Sequence, residues 1–152
     1  PQIVAPGTAD LVDLPPWQPL PERFEDRPCH VHNKLISSVT LTEAERRHTA
    51  REIAVRLNAA RGPLHVVLPL RGIQEWDREG EIGYDPPALA AFFEELRERL
   101  DPSVPVTAID AHINDKAFAD AVMAVFDRWI SDGTLASPAG EARRLRAPMP
   151  TA

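Results

Sequence analysis

Three apolar runs along the chain predict strands. The run from Leu64 to Leu70 is apolar except for His65, a pattern that favours a strand buried on both faces of a parallel sheet. Shorter runs at Gln2 to Ala5 and at Val104 to Ile109 predict two more strands. The turn-forming segment 6–8 ends the run at residues 2–5, and a helical pattern separates the runs at 64–70 and 104–109.

Capping residues mark the ends of three predicted helices. Thr42, followed three residues later by Glu45, forms a capping box, and the segment 58–63 ends that helix. Asp85 before two prolines begins the second helix, and Asp115 begins the third. Gly133 is its end signal. The buried stripes are, in chain order, Ala50, Ile53, Ala54 and Leu57; Leu89, Phe92, Phe93, Leu96 and Leu100; and Phe118, Ala121, Val122, Val125, Phe126 and Trp129.

The order of these elements predicts the fold class. Strands that alternate with helices indicate an α/β fold with a mostly parallel sheet and helices on both faces. In such sheets, ligands bind beyond the carboxyl ends of the strands. Three polar segments then lie on one rim of the sheet, at residues 6–10, 69–84 and 110–115. The prolines between Pro15 and Pro28 indicate a rigid irregular connection ahead of the first helix.

Composition narrows the classes of function. The net charge of −6, from 23 acidic and 17 basic residues, argues against a general nucleic-acid-binding surface. The single cysteine, Cys29, excludes an internal disulfide framework and a Cys-rich zinc module. No run is long and apolar enough for a membrane span, and no signal peptide is visible. We therefore expect a soluble cytoplasmic protein with no membrane and no nucleic acid among its partners.

The chain is expected to consist of one ordered unit, residues 1–133, and a tail, residues 134–152. Prolines from Pro138 to Pro150 and three arginines at positions 143, 144 and 146 predict a mobile, solvated tail. A basic arm that contacts a partner is the alternative. Because the first residue is Pro1 rather than methionine, we also expect a preceding segment.

His112, Asn114 and Asp115 follow a predicted strand and precede a helix. This junction combines an imidazole, an amide and a carboxylate with helix amides that favour anions. A ligand site is one interpretation. The alternative is that Asp115 only caps the helix and that the other two side chains fix the loop.

Two glycine-containing turns follow the predicted strands. Arg71 could hold a phosphate or carboxylate through two hydrogen bonds, and Gly72 allows a close backbone approach. Gly7 and Thr8 form a similar, weaker signal after the first strand. The alternative for Arg71 and Gly72 is a surface arginine beside a turn. The chain contains no Walker motif, no G-x-G-x-x-G and no G-x-S-x-G, the usual sequence signals of nucleotide and hydrolase sites.

The segment from Cys29 to Asn33 holds two histidines. If it is extended, His30 and His32 point the same way, because strand side chains alternate. A metal site would need a third ligand, such as His112 or Asp10, and no spacing supports that step. We therefore assign polar packing or ligand contact to the histidines and no metal. Cys29 is interpreted as a small buried residue rather than a catalytic thiol.

Several of these segments together resemble a known family. They are PGTADLVDL (6–14), R-x-x-H-x-H-N (27–33), T-x-x-E (42–45), LNAARGP (57–63), VVLPLRG (66–72), DPPA (85–88) and, above all, DAHINDKAFADAV (110–122). The family is the ATP-binding domain family of the tomato mosaic virus resistance protein, which has many bacterial and fungal members. The resemblance runs from about residue 1 to about residue 130. The chain departs from the family pattern in the loops, where Lys34 replaces a common proline and Gln74 a common serine.

The resemblance implies a three-layer, Rossmann-like fold, with this chain as the second of two halves. It also implies ATP as a candidate ligand, the preceding Rossmann-like half domain as a partner, and a homodimer. Together with the residues derived above, it gives the candidate ligand-binding residues Gly7, Thr8, His32, Asn33, Arg71, Gly72, His112, Asn114 and Asp115. No catalytic residue is assigned.

Three functions stay open from the sequence. A small-molecule or nucleotide-binding half domain predicts that His32, Asn33, Gly72, His112 and Asn114 converge in one cleft. An enzyme of unknown reaction predicts a solvent-facing histidine, His112 or His30, that a carboxylate of Asp115 or Asp10 orients. A structural or dimerisation module predicts apolar surface contact, for which the candidates are Trp17, Trp76 and Trp129.

Overall fold

The computed structural model describes residues 1–135 and shows an α/β fold. The strands are β1 (Gln2–Val4), β2 (Leu11–Leu14), β3 (Cys29–Val31), β4 (Ser37–Thr40), β5 (Leu64–Pro69) and β6 (Val106–Ile109). The helices are α1 (Glu43–Asn58), α2 (Pro86–Arg99) and α3 (Lys116–Ser131). Short 3₁₀ turns lie at Glu22–Phe24 and Glu75–Asp77.

A three-stranded parallel sheet in the order β1–β5–β6 forms the centre of the fold. All six residues of β5 are buried, as its continuous apolar run predicts. His65, the polar residue inside this strand, is 2.8 Å through Nε2 from the Thr107 hydroxyl on β6. The strand β6 begins two residues later than predicted and is half-buried rather than buried, since it lies at the sheet edge.

Helices cover both faces of the parallel sheet. Val66 and Leu68 of β5 pack with residues of α1 and α2 in one hydrophobic cluster. Val67, which points the other way, packs with α3 in a second cluster. The predicted arrangement of a parallel sheet between helices is therefore confirmed for these three strands.

A second sheet is formed by strands on either side of the proline-rich segment 15–28, where the sequence predicted no strand. Strands β2, β4 and β3 form an antiparallel sheet in that order, with Val39 of β4 opposite Val12 and Cys29. The sequence analysis missed these three strands, whereas residues 15–28 contain no strand and are irregular apart from one 3₁₀ turn, as predicted. They are short, and Asp13, Ser37 and Ser38 break their apolar pattern. Cys29 itself is half-buried rather than buried.

The helix caps explain where the helices begin. Thr42 and Glu45 form the predicted capping box of α1, and the Asp85 carboxylate accepts a hydrogen bond from Ala88 N at the start of α2. The predicted stripe of α2 is buried throughout, and Gly133 follows α3 with φ of 80°. One apolar residue of α3 differs from its prediction, since Phe126 is exposed at the outer surface.

Within the described residues, no helix is both long enough and apolar enough to cross a membrane. Thr134 and Leu135 are described, and Leu135 packs beside Trp129 on the α3 side of the sheet. The rest of the predicted tail, residues 136–152, lies outside the described residues.

Candidate functional site

The three polar segments predicted for one rim do meet beyond the carboxyl ends of β1, β5 and β6. Ile73 O accepts a hydrogen bond from Thr8 N at 3.0 Å, which joins the first segment to the second. Gly72 O accepts one from Ile113 N at 3.0 Å, which joins the second segment to the third. The side chain of Ile113 also lies beside Gly7. Backbone hydrogen bonds therefore hold Gly7, Gly72 and the turn at 112–115 together.

Gly72 occupies the most crowded position on this rim. Its φ is 140°, a conformation that L side chains rarely adopt. A Cβ atom at this position would overlap the Asp77 carboxylate and the His112 ring. Gly72 thus allows these two side chains to approach the end of β5.

His112 lies at the centre of a buried hydrogen-bond network. Its Nδ1 accepts a hydrogen bond from Asn114 N at 3.1 Å. This leaves the ring proton on Nε2, which lies 2.8 Å from Gln74 O and 3.0 Å from Asp77 Oδ1. The side chain is only 1% exposed, so both nitrogens are used inside the protein.

Asp77 fastens the loop after β5. Its Oδ2 accepts a hydrogen bond from Ile73 N at 2.6 Å, while Oδ1 faces His112. Asp77 is buried although it lies in a polar loop, and sequence reasoning missed it. The local signal was weak, because an aspartate in a long loop is ordinarily solvated.

A buried ion pair lies next to this network. The Asp10 carboxylate is fully buried, and its Oδ2 lies 3.4 Å from both Arg46 Nη1 and Gln74 Nε2. Arg46 also donates from Nε to Leu41 O at 3.0 Å. Asp10 Oδ1 has no hydrogen-bond partner among the described residues. Burial raises the pKa of the Asp10 carboxyl group, and the charge of Arg46 only partly offsets this.

The sequence did contain a signal that Arg46 is buried, although the sequence analysis did not use it. Arg46 lies four residues before Ala50 and eight before Ala54, so it belongs to the buried stripe of α1. An arginine at such a position requires a buried acceptor, since an unpaired buried charge is strongly unfavourable. Asp10 and Leu41 O supply the acceptors.

Two concave sites open on the rim, on either side of Arg71 and Tyr84. One is a cavity of about 180 Å³, and the other, the rim depression, measures about 370 Å³. The cavity is lined by Arg46, Leu70, Arg71, Asp77, Tyr84, Asp85, Pro86 and Leu89. The rim depression is lined by Arg71, Arg78, Glu79, Tyr84, Asp110, Ala111, His112 and Asp115.

The N-terminus of α3 lies beside the rim depression without a side-chain cap. Asp115 occupies the N-cap position, but its carboxylate makes no cap hydrogen bond. Its Oδ2 instead accepts a hydrogen bond from His112 N at 2.9 Å, and its Oδ1 lies 3.4 Å from Arg78 Nη2. The His112 amide and Arg78 hold the pKa of the Asp115 carboxyl group below its ordinary value. The predicted capping role of Asp115 was therefore wrong.

Comparison with known proteins places this chain in a family. The sequence profile described as Uncharacterised protein family (UPF0261) C-terminal domain matches residues 1–130. The chain belongs to this family. The match confirms the resemblance that the motifs indicated, and the members below include both bacterial UPF0261 proteins and a tomato resistance protein.

Three relatives illustrate the range of the UPF0261 family. A UPF0261 protein of Brucella melitensis is 48% identical over 133 residues, which cover 88% of this chain and 32% of the relative. A UPF0261 protein of Clostridium tetani is 32% identical over 123 residues, 80% of this chain and 30% of the relative. The ToMV resistance protein Tm-1(GCR237) of Solanum lycopersicum is 33% identical over 128 residues, 83% of this chain and 17% of the relative. This chain thus spans about a third of the length of these bacterial relatives.

Five predicted binding residues of this UPF0261 domain lie around the rim depression. Arg71, His112 and Asp115 line it, Gly72 lies behind the His112 ring, and Asn114 donates from Nδ2 to Glu75 Oε2 at 2.8 Å. Arg71 forms a two-pronged ion pair with Asp110, at 2.6 Å and 2.9 Å, with both side chains largely exposed. Asn114 therefore also fixes the loop, as the alternative interpretation held, and Asp115 does so as well, although that interpretation gave it only a capping role.

The other predicted residues lie outside the rim depression. Thr8 and His32 line a separate groove, and Gly7 packs beside Ile113 at the edge of the rim. Asn33 stabilises an exposed turn, because its Oδ1 accepts hydrogen bonds from Leu35 N and Ile36 N. The expected convergence of all five cleft residues thus holds for Gly72, His112 and Asn114 and fails for His32 and Asn33.

The sequence also suggested an acid–base histidine and a pair of histidines that point the same way. His112 has its carboxylate partner in Asp77, not in Asp115 or Asp10, and it does not face solvent as an acid–base residue should. His30 and His32 do point the same way, since both rings contact Trp76. In residues 1–135, no group of three or more metal-ligating side chains is arranged to hold a metal ion.

The three tryptophans that were candidates for surface contact differ in their exposure. Trp17 is 64% exposed, whereas Trp129 is buried in the cluster beneath α3. Trp76 is half-buried at the rim.

Proposed function

We propose that this domain binds a small molecule that carries a phosphate or carboxylate group, with ATP as the candidate nucleotide. The observation that supports this most is the uncapped N-terminus of α3 at the rim depression. The first amides of a helix have no intrahelical partner, and the helix dipole makes them attractive to anions. Because Asp115 turns toward His112, the first-turn amides of Lys116 and Ala117 stay available to a ligand.

Two arginines add to this preference for anions. Arg71 and Arg78 both line the rim depression, and guanidinium groups recognise phosphate and carboxylate oxygens through paired hydrogen bonds. Both arginines already contact carboxylates, Arg71 that of Asp110 and Arg78 those of Glu75 and Asp115. A ligand would have to share or replace those contacts, so we expect modest affinity for an isolated anion.

The size of the site favours a ligand that extends beyond the anionic group. The rim depression of about 370 Å³ lies at the lower end of the usual range for small-molecule sites. We propose that the preceding half of the longer relatives supplies a facing wall. In the absence of a Walker motif, the amides of α3 and the two arginines would hold the phosphates of ATP.

A matched pair of substitutions at Lys116 tests the role of the α3 amides. Lys116→Pro removes the amide hydrogen at the first helical position, where proline is tolerated, and Asp115 before it already has extended backbone angles. Lys116→Ala removes the same side chain but keeps the amide. Binding of ATP and of inorganic phosphate would be measured by calorimetric titration and thermal shift, on this chain and on a longer UPF0261 relative that includes the preceding half.

We expect Lys116→Pro to weaken phosphate binding more than Lys116→Ala. Arg78→Ala should also weaken phosphate binding. Arg56→Ala is the control, because Arg56 lies on α1, far from the rim, and pairs there with Glu52. Absence of any shift with millimolar ATP, on this chain and on the longer relative alike, would contradict nucleotide binding. Equal affinities for the two Lys116 variants would contradict the role of the α3 amides.

A further inference from the structure

A second concave site lies between the rim loop and the antiparallel sheet. This aromatic groove has a volume of about 200 Å³. It is lined by Thr8, Leu11, Asp13, His32, Ile36, Ser38 and Trp76. The groove shares none of these residues with the rim depression.

Trp76 forms an aromatic wall of the groove and is held firmly. Its amide donates to Gln74 Oε1 at 3.1 Å, and its carbonyl accepts a hydrogen bond from Gly83 N at 2.8 Å. A Cβ on Gly83 would lie 2.8 Å from that carbonyl, so only glycine permits this approach. His30 stacks on the indole with ring centroids 4.0 Å apart, and His32 meets it edge-on at 5.3 Å. The indole is therefore positioned before any ligand arrives.

The opposite wall offers hydrogen-bond acceptors. Asp13 accepts a hydrogen bond from Ser38 Oγ at 2.6 Å, which uses the Ser38 hydroxyl hydrogen and leaves both side chains with oxygen lone pairs. Among the described residues, Asp13 forms no ion pair, unlike Asp110 and Asp115 on the rim. Asp13 is exposed and carries a negative charge, so this wall favours ligand donors and disfavours anions.

We infer that the aromatic groove binds a flat nitrogen heterocycle that carries an amino group, such as an aminopurine. The ring packs against Trp76 and His32, because flat aromatic systems stack or meet edge-on at these separations. The amino group donates to Asp13. A quaternary ammonium ion is attracted by the charge of Asp13 but has no N–H to donate to its oxygen atoms, and a phosphate is repelled by that charge. The inference does not rest on the proposed function of the rim depression.

Adenosine and purine riboside are a suitable pair of probes, since they differ only in the amino group. Binding to the whole chain would be followed by saturation-transfer NMR, which does not depend on tryptophan emission. We expect adenosine to bind about tenfold more tightly than purine riboside. Purine riboside lacks the amino group and therefore cannot donate the hydrogen bond to the Asp13 carboxylate. Choline and ribose serve as the alternative ligand classes.

Two substitutions test the two walls separately. Asp13→Asn keeps the shape of an exposed side chain and should weaken adenosine binding while leaving purine riboside unaffected. Trp76→Leu should abolish binding of both, and His32→Ala is a milder test of the same wall if Trp76→Leu does not fold. Arg78→Ala should leave adenosine binding unchanged. The inference is overturned if purine riboside binds equally well, if choline or ribose binds better than adenosine, or if Asp13→Asn has no effect.

Discussion

His112 Nε2 lies 3.0 Å from Asp77 Oδ1, and both side chains are buried beneath the rim. This contact, together with the bond from Asn114 N to His112 Nδ1, ties the turn after β6 to the loop after β5. The histidine therefore acts first as a structural cross-link of the site.

We expect His112→Ala to lower the free energy of unfolding by about 3 kcal/mol, because it leaves Oδ1 of the buried Asp77 carboxylate and the backbone N–H of Asn114 without a partner. Urea denaturation measures the loss. His48→Ala is the control, since His48 is exposed on α1. Equal stability of the two variants would show that the buried network contributes little.

Gly72 and Gly80 provide a test of crowding against backbone strain. Both have positive φ, but a Cβ would overlap Asp77 and His112 at Gly72 and would meet nothing within 4 Å at Gly80. Gly80→Ala should cost about 1 kcal/mol from backbone strain alone. Gly72→Ala should cost about 3 kcal/mol or more, because the network must also shift. A thermal melt of each variant checks this order, and similar losses would contradict the crowding.

Asp10 should give the protein a distinct pH dependence. Its folded pKa is raised above its ordinary value of 3.8, so between these two pKa values the folded state binds more protons than the unfolded state. The contribution of Asp10 is thus complete below pH 3.8 and declines as pH rises through the folded pKa. Asn cannot titrate, so the stability of Asp10→Asn relative to the parent should improve as pH rises across this window. Urea denaturation at several pH values measures the difference, and a constant or opposite trend would contradict the prediction.

The contribution of Glu45 to stability should change with pH in the opposite direction. The hydrogen bond from Arg27 lowers the pKa of the Glu45 carboxyl group from 4.5 to about 2. Its contribution is present above pH 4.5 and lost as pH falls through about 2. Because the side chain is partly exposed, we expect Glu45→Gln to cost only about 1 kcal/mol at neutral pH.

The loss in Glu45→Gln should shrink toward low pH and in high salt. Glu43→Gln is a matched control, as Glu43 also lies in the first turn of α1 and pairs with Arg47 rather than Arg27. A loss in Glu45→Gln that does not vary with pH would point to packing instead of charge.

Local patterns predicted the parallel sheet and its helices well. The capping box at Thr42, the proline-containing start of α2 and the apolar run of β5 each depend on neighbouring residues, which the sequence displays directly. The rim followed from one topological rule, because parallel strands direct their carboxyl ends to the same edge.

The parts that could not be predicted depend on contacts between distant residues. The antiparallel sheet is stabilised by pairing across the proline-rich segment, with β2 opposite β4, rather than by a clear alternating pattern. The burial of Asp77 and of Arg46 depends on His112 and Asp10, which lie far away in sequence. The Asp115 carboxylate could equally have capped α3, and only the position of His112 N decides between the two.

The register of β1 has a consequence for how the chain acquires its shape. Gln2 pairs with Leu64, so the first strand has no hydrogen-bonded neighbour in its sheet until α1 and β5 have left the ribosome. Contacts between such remote segments form slowly, because the entropy of closing a long loop is lost before any of these contacts stabilises the chain. During synthesis, the antiparallel sheet, whose strands are close in sequence, is available to form first, and the rim is assembled last.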